Sequence, residues 1–366
     1  MKILVLQDYL RSGGTERQSV LLAQGFARAG HATTLLTFRP GGPLQPTALI
    51  PRFSCASLQR IDPKLDWWAP GLIRRARALT PDIIICMGRM ANCYGRSLQS
   101  NLPATAVIST LRTGKLLPRL FIKSLQTTRH VIANSHAARD QAYQRHAIAP
   151  ERISVIHNAL VFPQATSQPE TRAQTRAQFG ATADTLVLLD VAMFRPEKNQ
   201  IALVDIASRL PPDLPWQLWL AGNGPALETC RARAASLGLT SRIHFPGWLE
   251  NPRPLYAAAD IAVHASHRES LSNFLIEAQS HGLPAIAYDA LGVSETFIPG
   301  ATGILIPTDD SDRFQAAILR LAHDPDLRSR MSARARTHAL DNFSTASQIK
   351  AYLDLFFQLI SSNSKP

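Results

Sequence analysis

Short apolar runs alternate with helix-period segments along the whole chain, and this alternation narrows the fold more than any other feature. ILVL (3–6), ATTLLTF (32–38), DIIICM (82–87), ATAVIS (104–109), HVIA (130–133) and ISVI (153–156) read as strands, with an amphipathic helix over 15–29. A polar stretch rich in threonine and glutamine (164–178) then intervenes. A second series follows: TLVLLDVA (185–192), WQLWLAG (216–222), RIHF (242–245), DIAVHA (260–265), PAIAY (284–288) and GILI (303–306). Strands that are apolar on both faces and separated by helices predict parallel sheets covered on both sides. Two series predict two doubly wound α/β domains, over 1–163 and 164–345, joined by a linker near 160–170. A last helix, 346–366 with AYLDLFFQLI at its heart, is left over and is expected to pack back on the first domain. Ligands of such sheets bind beyond the carboxyl ends of the strands, so the site is expected in the cleft between the two domains.

A chain of 366 residues with 45% hydrophobic and 18% charged content is long enough for two cored domains and too apolar for disorder. Four cysteines without a CxxC pair predict reduced thiols rather than disulfides or zinc sites. The opening MKILVLQDYL is too short an apolar run for a signal peptide, and no run approaches the ~18 residues a membrane span needs. A cytoplasmic protein is expected. The net charge of +12 attracts anionic partners. Arg74, Arg75, Arg77, Arg112, Lys115, Arg119 and Lys123 concentrate it in the first half. Two readings stand side by side: a solvated arginine-rich surface, or a basic patch meeting an anionic membrane from the inner side. No zinc finger, RNP-like aromatic motif or basic zipper is present, so nucleic acid is not expected as a partner.

Several strand ends carry residues suited to chemistry. The first strand runs into SGGTE, where Gly13 and Gly14 let backbone amides approach a phosphate or sugar oxygen closely; an ordinary βα turn reads the same way. LVLLDVA is followed by FRPEKN, which places Arg195 and Lys198 before a helix start, where the helix dipole disfavours cations. Two cations there can neutralise a diphosphate leaving group without a metal. Glu269 and Glu277 bracket ESLSNFLIE, with a helix expected to begin near Ser272 or Asn273. Its free N–H groups can face a phosphate. A carboxylate one turn inside the helix can hold a ribose diol, and one just before it can reach a sugar beyond the diphosphate. GNGPAL (222–227) starts like a dinucleotide fingerprint but has Leu227 where the third glycine belongs, which argues against a nicotinamide enzyme. The Asp-x-Asp at 310–312 sits in a turn entering a helix and reads as a cap, not a metal ligand. No histidine spacing suggests a metal.

Together these segments resemble the retaining glycosyltransferases of the GT-B fold, specifically glycosyltransferase family four (glycosyl transferases group 1). HASHRESLSNFLIEAQSHGLPAIAYDALG resembles that family's Glu-x7-Glu region and its GLP turn. FRPEKN resembles its diphosphate clamp, SGGTE its glycine-rich first loop, VIANSHAARD its NS segment and AGNGP its glycine turn, all in the family's order over nearly the whole chain. The resemblance implies two Rossmann-like domains, the second holding the donor. It implies that Arg195 and Lys198 bind the donor's phosphates and, with Glu269, carry the catalysis. Glu277 is implied to bind the ribose, and Glu269 to contact the donor sugar or face its anomeric carbon. The backbone around Leu271, Ser272 and Asn273 is implied to meet the phosphates, Gly14 to approach the diphosphate from the first domain, and the base to lie near Pro246 and Gly247. Gly13 and Arg112 fall on the acceptor side. Two positions depart from the family: VISTLRTGK has Arg112 where many members have a histidine, and HNAL has Ala159 where glycine is usual.

The expected activity is metal-independent, retaining transfer of a hexose or N-acetylhexosamine from a nucleotide-diphosphate sugar, with UDP as the favoured nucleotide. The acceptor is a hydroxyl of a glycan or lipid-linked glycan in cell-envelope polysaccharide or lipopolysaccharide synthesis. No cofactor is expected. A nucleotide-sugar epimerase of the same fold and a non-catalytic sugar-binding protein remain as alternatives.

Overall fold

The computed structural model describes residues 1–161 and 169–361, and the expected linker over 160–170 lies mostly outside them. The chain divides into two compact units, Met1–Val161 with Thr345–Pro366, and Phe162–Ser344. The first unit holds strands β1 (Lys2–Gln7), β2 (Ala32–Thr37), β3 (Phe53–Ser57), β4 (Ile83–Cys86), β5 (Ala106–Leu111), β6 (His130–Ala133) and β7 (Ile153–Val155). They form one sheet in the order β3-β2-β1-β4-β5-β6-β7, with every pairing parallel. The order reverses between β1 and β4, which is where a doubly wound sheet opens its ligand crevice.

The sequence did not predict β3. Its FSCAS has no apolar run, because an edge strand with side chains only partly covered needs none. The central strands are buried throughout, and the helix Gly14–Arg28 lays Leu22, Ala23 and Phe26 on them. The helix Thr345–Ser361 completes this core. Tyr352 and Phe356 reach Phe26 with ring centroids 5.8 and 5.4 Å apart.

The second unit holds β8 (Leu186–Val191), β9 (Trp216–Ala221), β10 (Ile243–Gly247), β11 (Ile261–His264), β12 (Ala285–Tyr288) and β13 (Gly303–Ile306). Their order is β10-β9-β8-β11-β12-β13, again all parallel, with the reversal between β8 and β11. Ahead of β8, part of the polar stretch is a helix, Pro169–Gln178. It carries no apolar stripe because arginines attach it. Arg172 donates to Asp260 at 2.6 Å and to the carbonyls of Ala257 and Ala259, and Arg176 donates to the Ala258 carbonyl at 2.7 Å.

Candidate functional site

The site of the second unit grows from the reversal between β8 and β11. Each of these apolar strands carries one buried polar residue near its carboxyl end, Asp190 on β8 and His264 on β11. His264 Nδ1 lies 2.8 Å from Asp190 Oδ1, and its Nε2 lies 2.8 Å from Glu269 Oε1. Glu269 stands in the loop after β11 and also accepts from the Lys198 ammonium. Asp190, His264, Glu269 and Lys198 thus form one linear chain of charges. Burial alone would raise the Glu269 carboxyl, but the Lys198 charge and the His264 hydrogen bond overcome it and hold it at about 2. Burial pulls His264 down, and its hydrogen bonds to Asp190 and Glu269 reverse the sign and raise it.

Local backbone explains these placements. Lys198 closes a 3₁₀ turn, Pro196–Lys198, and Asn199 at φ 53° turns the chain into the helix Gln200–Ala207. The cation that a helix start disfavours is therefore neutralised by Glu269. Arg195, at the head of the turn, makes no side-chain hydrogen bond or ion pair among the described residues. The loop carrying Arg195 is held by the glycine turn after β9: Phe194 donates its N–H to the Asn223 carbonyl at 3.0 Å, and Ala226 donates to the Phe194 carbonyl at 3.2 Å. A Cβ on Gly222 would sit 2.0 Å from the Ala192 carbonyl oxygen, and one on Gly224 2.2 Å from that of Phe194. AGNGP is thus a close-approach turn that braces the Arg195 loop, in keeping with its departure from a dinucleotide fingerprint.

The helix after Glu269 runs Asn273–Ser280, as its sequence predicts. Ser272 caps it, accepting from the Leu275 N–H at 3.5 Å, and the same hydroxyl lies 3.4 Å from His264 Nε2. The helix start therefore abuts the charge chain. Leu271 is buried beside it, and Glu277 is buried one turn further on, a carboxylate inside an otherwise covered helix. Pro246 and Gly247 end β10 at a register shift, and the Gly247 carbonyl accepts from the Gly222 N–H at 2.8 Å. The residues expected to bind the donor in this unit thus end or follow β8, β10 and β11, and the turn after β9 braces the first of these segments. Asp190 and His264 were missed. Their signal was a polar residue near the carboxyl end of each apolar run, LVLLDVA and DIAVHA.

In the first unit, Gly13 has φ −77° and precedes the helix that Gly14 opens. That backbone angle suits any residue, and a Cβ on Gly13 would meet only the flexible end of Glu16, its Oε2 at 2.4 Å, which can swing aside. Arg112 does not present a free guanidinium. It donates to the Asn158 side chain and, at 2.5 Å, to the Tyr352 hydroxyl, which ties the end of β5 to the segment after β7 and to the last helix. Asp310 of the Asp-x-Asp caps the helix Ser311–His323, accepting from Arg313 N–H at 3.0 Å, and Asp312 pairs with Arg209 at 2.5 Å. A second Asp-x-Asp, 324–326, also caps a helix, with Asp324 accepting from Leu327 N–H at 2.8 Å.

Two doubly wound, Rossmann-like parallel units in one chain define the GT-B fold. Solved structures share it: Anabaena Alr3699/HepE in complex with UDP-glucose superposes with a TM-score of 0.82 at 22% identity, covering 99% of this chain and 100% of that one. WaaG, a glycosyltransferase involved in lipopolysaccharide biosynthesis, gives 0.77 at 16% identity, covering 97% and 99%. The family model for Glycosyltransferase Family 4 matches residues 12–160, and that for Glycosyl transferases group 1 matches 171–338. The chain belongs to this glycosyltransferase family. Among curated relatives, the lipopolysaccharide core biosynthesis glycosyltransferase LpsE of Rhizobium meliloti is 30% identical over 183 residues, 50% of this chain and 53% of that protein. LpsD of the same organism is 33% identical over 181 residues, 50% and 52%. The chain spans about half the length of these relatives.

Proposed function

We propose that the chain transfers a hexose or N-acetylhexosamine from a nucleotide-diphosphate sugar, with UDP as the nucleotide, to a hydroxyl of a glycan or lipid-linked glycan of the cell envelope. Family membership and the lipopolysaccharide role named for LpsE and LpsD support the class of reaction. The observation that carries the reading is the Lys198–Glu269 pair beside the Ser272-capped helix start, at the strand-order reversal of the second unit. Arg195 and Lys198 neutralise charge developing on the leaving diphosphate, Glu277 holds the ribose, and Glu269 meets the sugar. The acceptor oxygen bonds to the anomeric carbon on the face from which the diphosphate departs. Configuration is retained because attack and departure share that face, and the acceptor's proton passes to a phosphate oxygen. The two cations make a metal unnecessary, and the Asp-x-Asp segments serve as helix caps instead.

No described helix is long and apolar enough to cross a membrane. A cytoplasmic protein whose basic first unit meets the inner membrane face accounts for the charge and for a lipid-linked acceptor.

The test is a transfer assay with UDP-, GDP- and ADP-sugars, with and without chelator. Lys198→Ala and Glu269→Ala are expected to lower turnover by roughly 10²–10³-fold with the fold intact, and chelator to leave it unchanged. Normal turnover by Lys198→Ala, or strict dependence on manganese, overturns the clamp. Donor alone should give no isomerised sugar, which an epimerase would produce.

A further inference from the structure

Asp190 and His264 take no part in the scheme above, yet they are among its most enclosed neighbours, with side chains 2% and 1% exposed. A buried carboxylate and imidazole are unfavourable unless paired, and these two are paired with each other and with Glu269. The imidazole has a carboxylate oxygen 2.8 Å from each ring nitrogen. It can donate to both only when doubly protonated. The chain Asp190–His264–Glu269–Lys198 then alternates in sign and sums to zero. Its two cations differ in freedom. Lys198 is 22% exposed on a flexible stem and can turn to another anion, whereas His264 is fixed at both ends.

We propose that Asp190 and His264 are positioning residues for Glu269: they keep its carboxylate ionised and aimed when Lys198 leaves it for the donor's diphosphate. The first half of this inference rests on geometry alone; the second rests on the donor-site reading above. Without the histidine, release of Lys198 would leave a buried carboxylate uncompensated, and the carboxylate would take up a proton. With it, one ion pair is exchanged for another while Glu269 stays in place. Asp190, held from β8, keeps the imidazole charged and its Nε2 directed at Glu269. The ionisable groups facing His264 are Asp190, Glu269 and, behind Glu269, Lys198; the Ser272 hydroxyl and the Phe274 ring, 5.6 Å away, also lie beside it.

The experiment has two arms. In the full-length protein labelled with ¹⁵N-histidine, with the His264 signals assigned by their loss in His264→Gln, both ring nitrogens should be protonated at neutral pH. In Asp190→Asn the ring should become neutral. A neutral His264 in the wild type overturns the proposal whatever reaction the protein catalyses. In the transfer assay, Asp190→Asn should lower kcat by about tenfold or more while donor KM stays within about twofold, and its activity should fall at a lower pH than that of the wild type on the alkaline side. A variant that loses thermal stability but keeps the wild-type pH profile overturns the positioning role. If no sugar nucleotide supports transfer, the donor reading fails, and the NMR arm still decides the charge and orientation of His264.

Discussion

Asp8 sits at the carboxyl end of β1, where the strand order of the first unit reverses, and both of its oxygens accept backbone N–H groups. Met90 donates at 2.9 Å and Ala91 at 2.6 Å. Burial raises its carboxyl from 3.8 to about 7; those two hydrogen bonds pull it down, while Glu16 and Asp66 push it up. A carboxyl whose folded-state pKa is raised contributes stability that is fully present below the unfolded value and is lost as pH rises through the folded one. The wild type's advantage in unfolding midpoint over Asp8→Asn should therefore be larger at about pH 5 than at about pH 8. An equal advantage at both would show that Asp8 is not held in this state. Much at this scale was legible in the sequence. Lys198, Glu269 and Glu277 stand out by motif. What links them did not, because Lys198 and Glu269 are 71 residues apart and His264 and Asp190 are 74 apart. Arg112 shows the converse. Resemblance sets it on the acceptor side, and the fold engages it with Asn158 and Tyr352.

Among elements, the strands announced themselves where both faces are buried and hid where they are not. All twelve apolar runs are strands, while β3 at the sheet edge and the arginine-tethered helix Pro169–Gln178 carry no periodic apolar signal. The glycine turn after β9 was visible as a motif, but its purpose was not, since close backbone approach leaves no trace in a single sequence. Gly224 has φ 151°, and an added Cβ would lie 2.2 Å from the Phe194 carbonyl oxygen. Gly224→Ala should destabilise the second unit by about 2 kcal/mol or more, and it should weaken donor binding by displacing the Arg195 loop. Gly238 has φ 71° with open space around it, so Gly238→Ala should lose only about 1 kcal/mol, the penalty of the backbone angle alone. Denaturant unfolding of the two variants checks the contrast, and equal losses would remove the role given to the turn.

Across the molecule, the net charge of +12 has a local counterpart in the first unit. The segment after β3 forms a groove of about 700 Å³ lined by Ile61, Leu65, Trp67, Trp68, Arg60 and Arg74, among others. Trp67 and Trp68 are 58% and 42% exposed, a mixture of aromatic and basic groups that suits a membrane–water interface. Arg39 anchors the segment through Asp62 at 2.7 Å and Asp66 at 2.6 Å. Co-sedimentation should show binding to vesicles containing anionic lipid and little to zwitterionic ones. Trp67→Ala combined with Arg74→Ala should weaken that binding about tenfold; no binding to either vesicle type, or binding unchanged in the double variant, would reduce the patch to a solvated surface. The helix Thr345–Ser361 has a different consequence. Thr345 donates to the carbonyl of Leu160, 185 residues earlier, and Tyr352 and Phe356 cover Phe26. A ribosome therefore releases the complete second unit before it supplies the piece that closes the first. During translation the helix Gly14–Arg28 must wait with Phe26 uncovered, and the unit begun first is finished last.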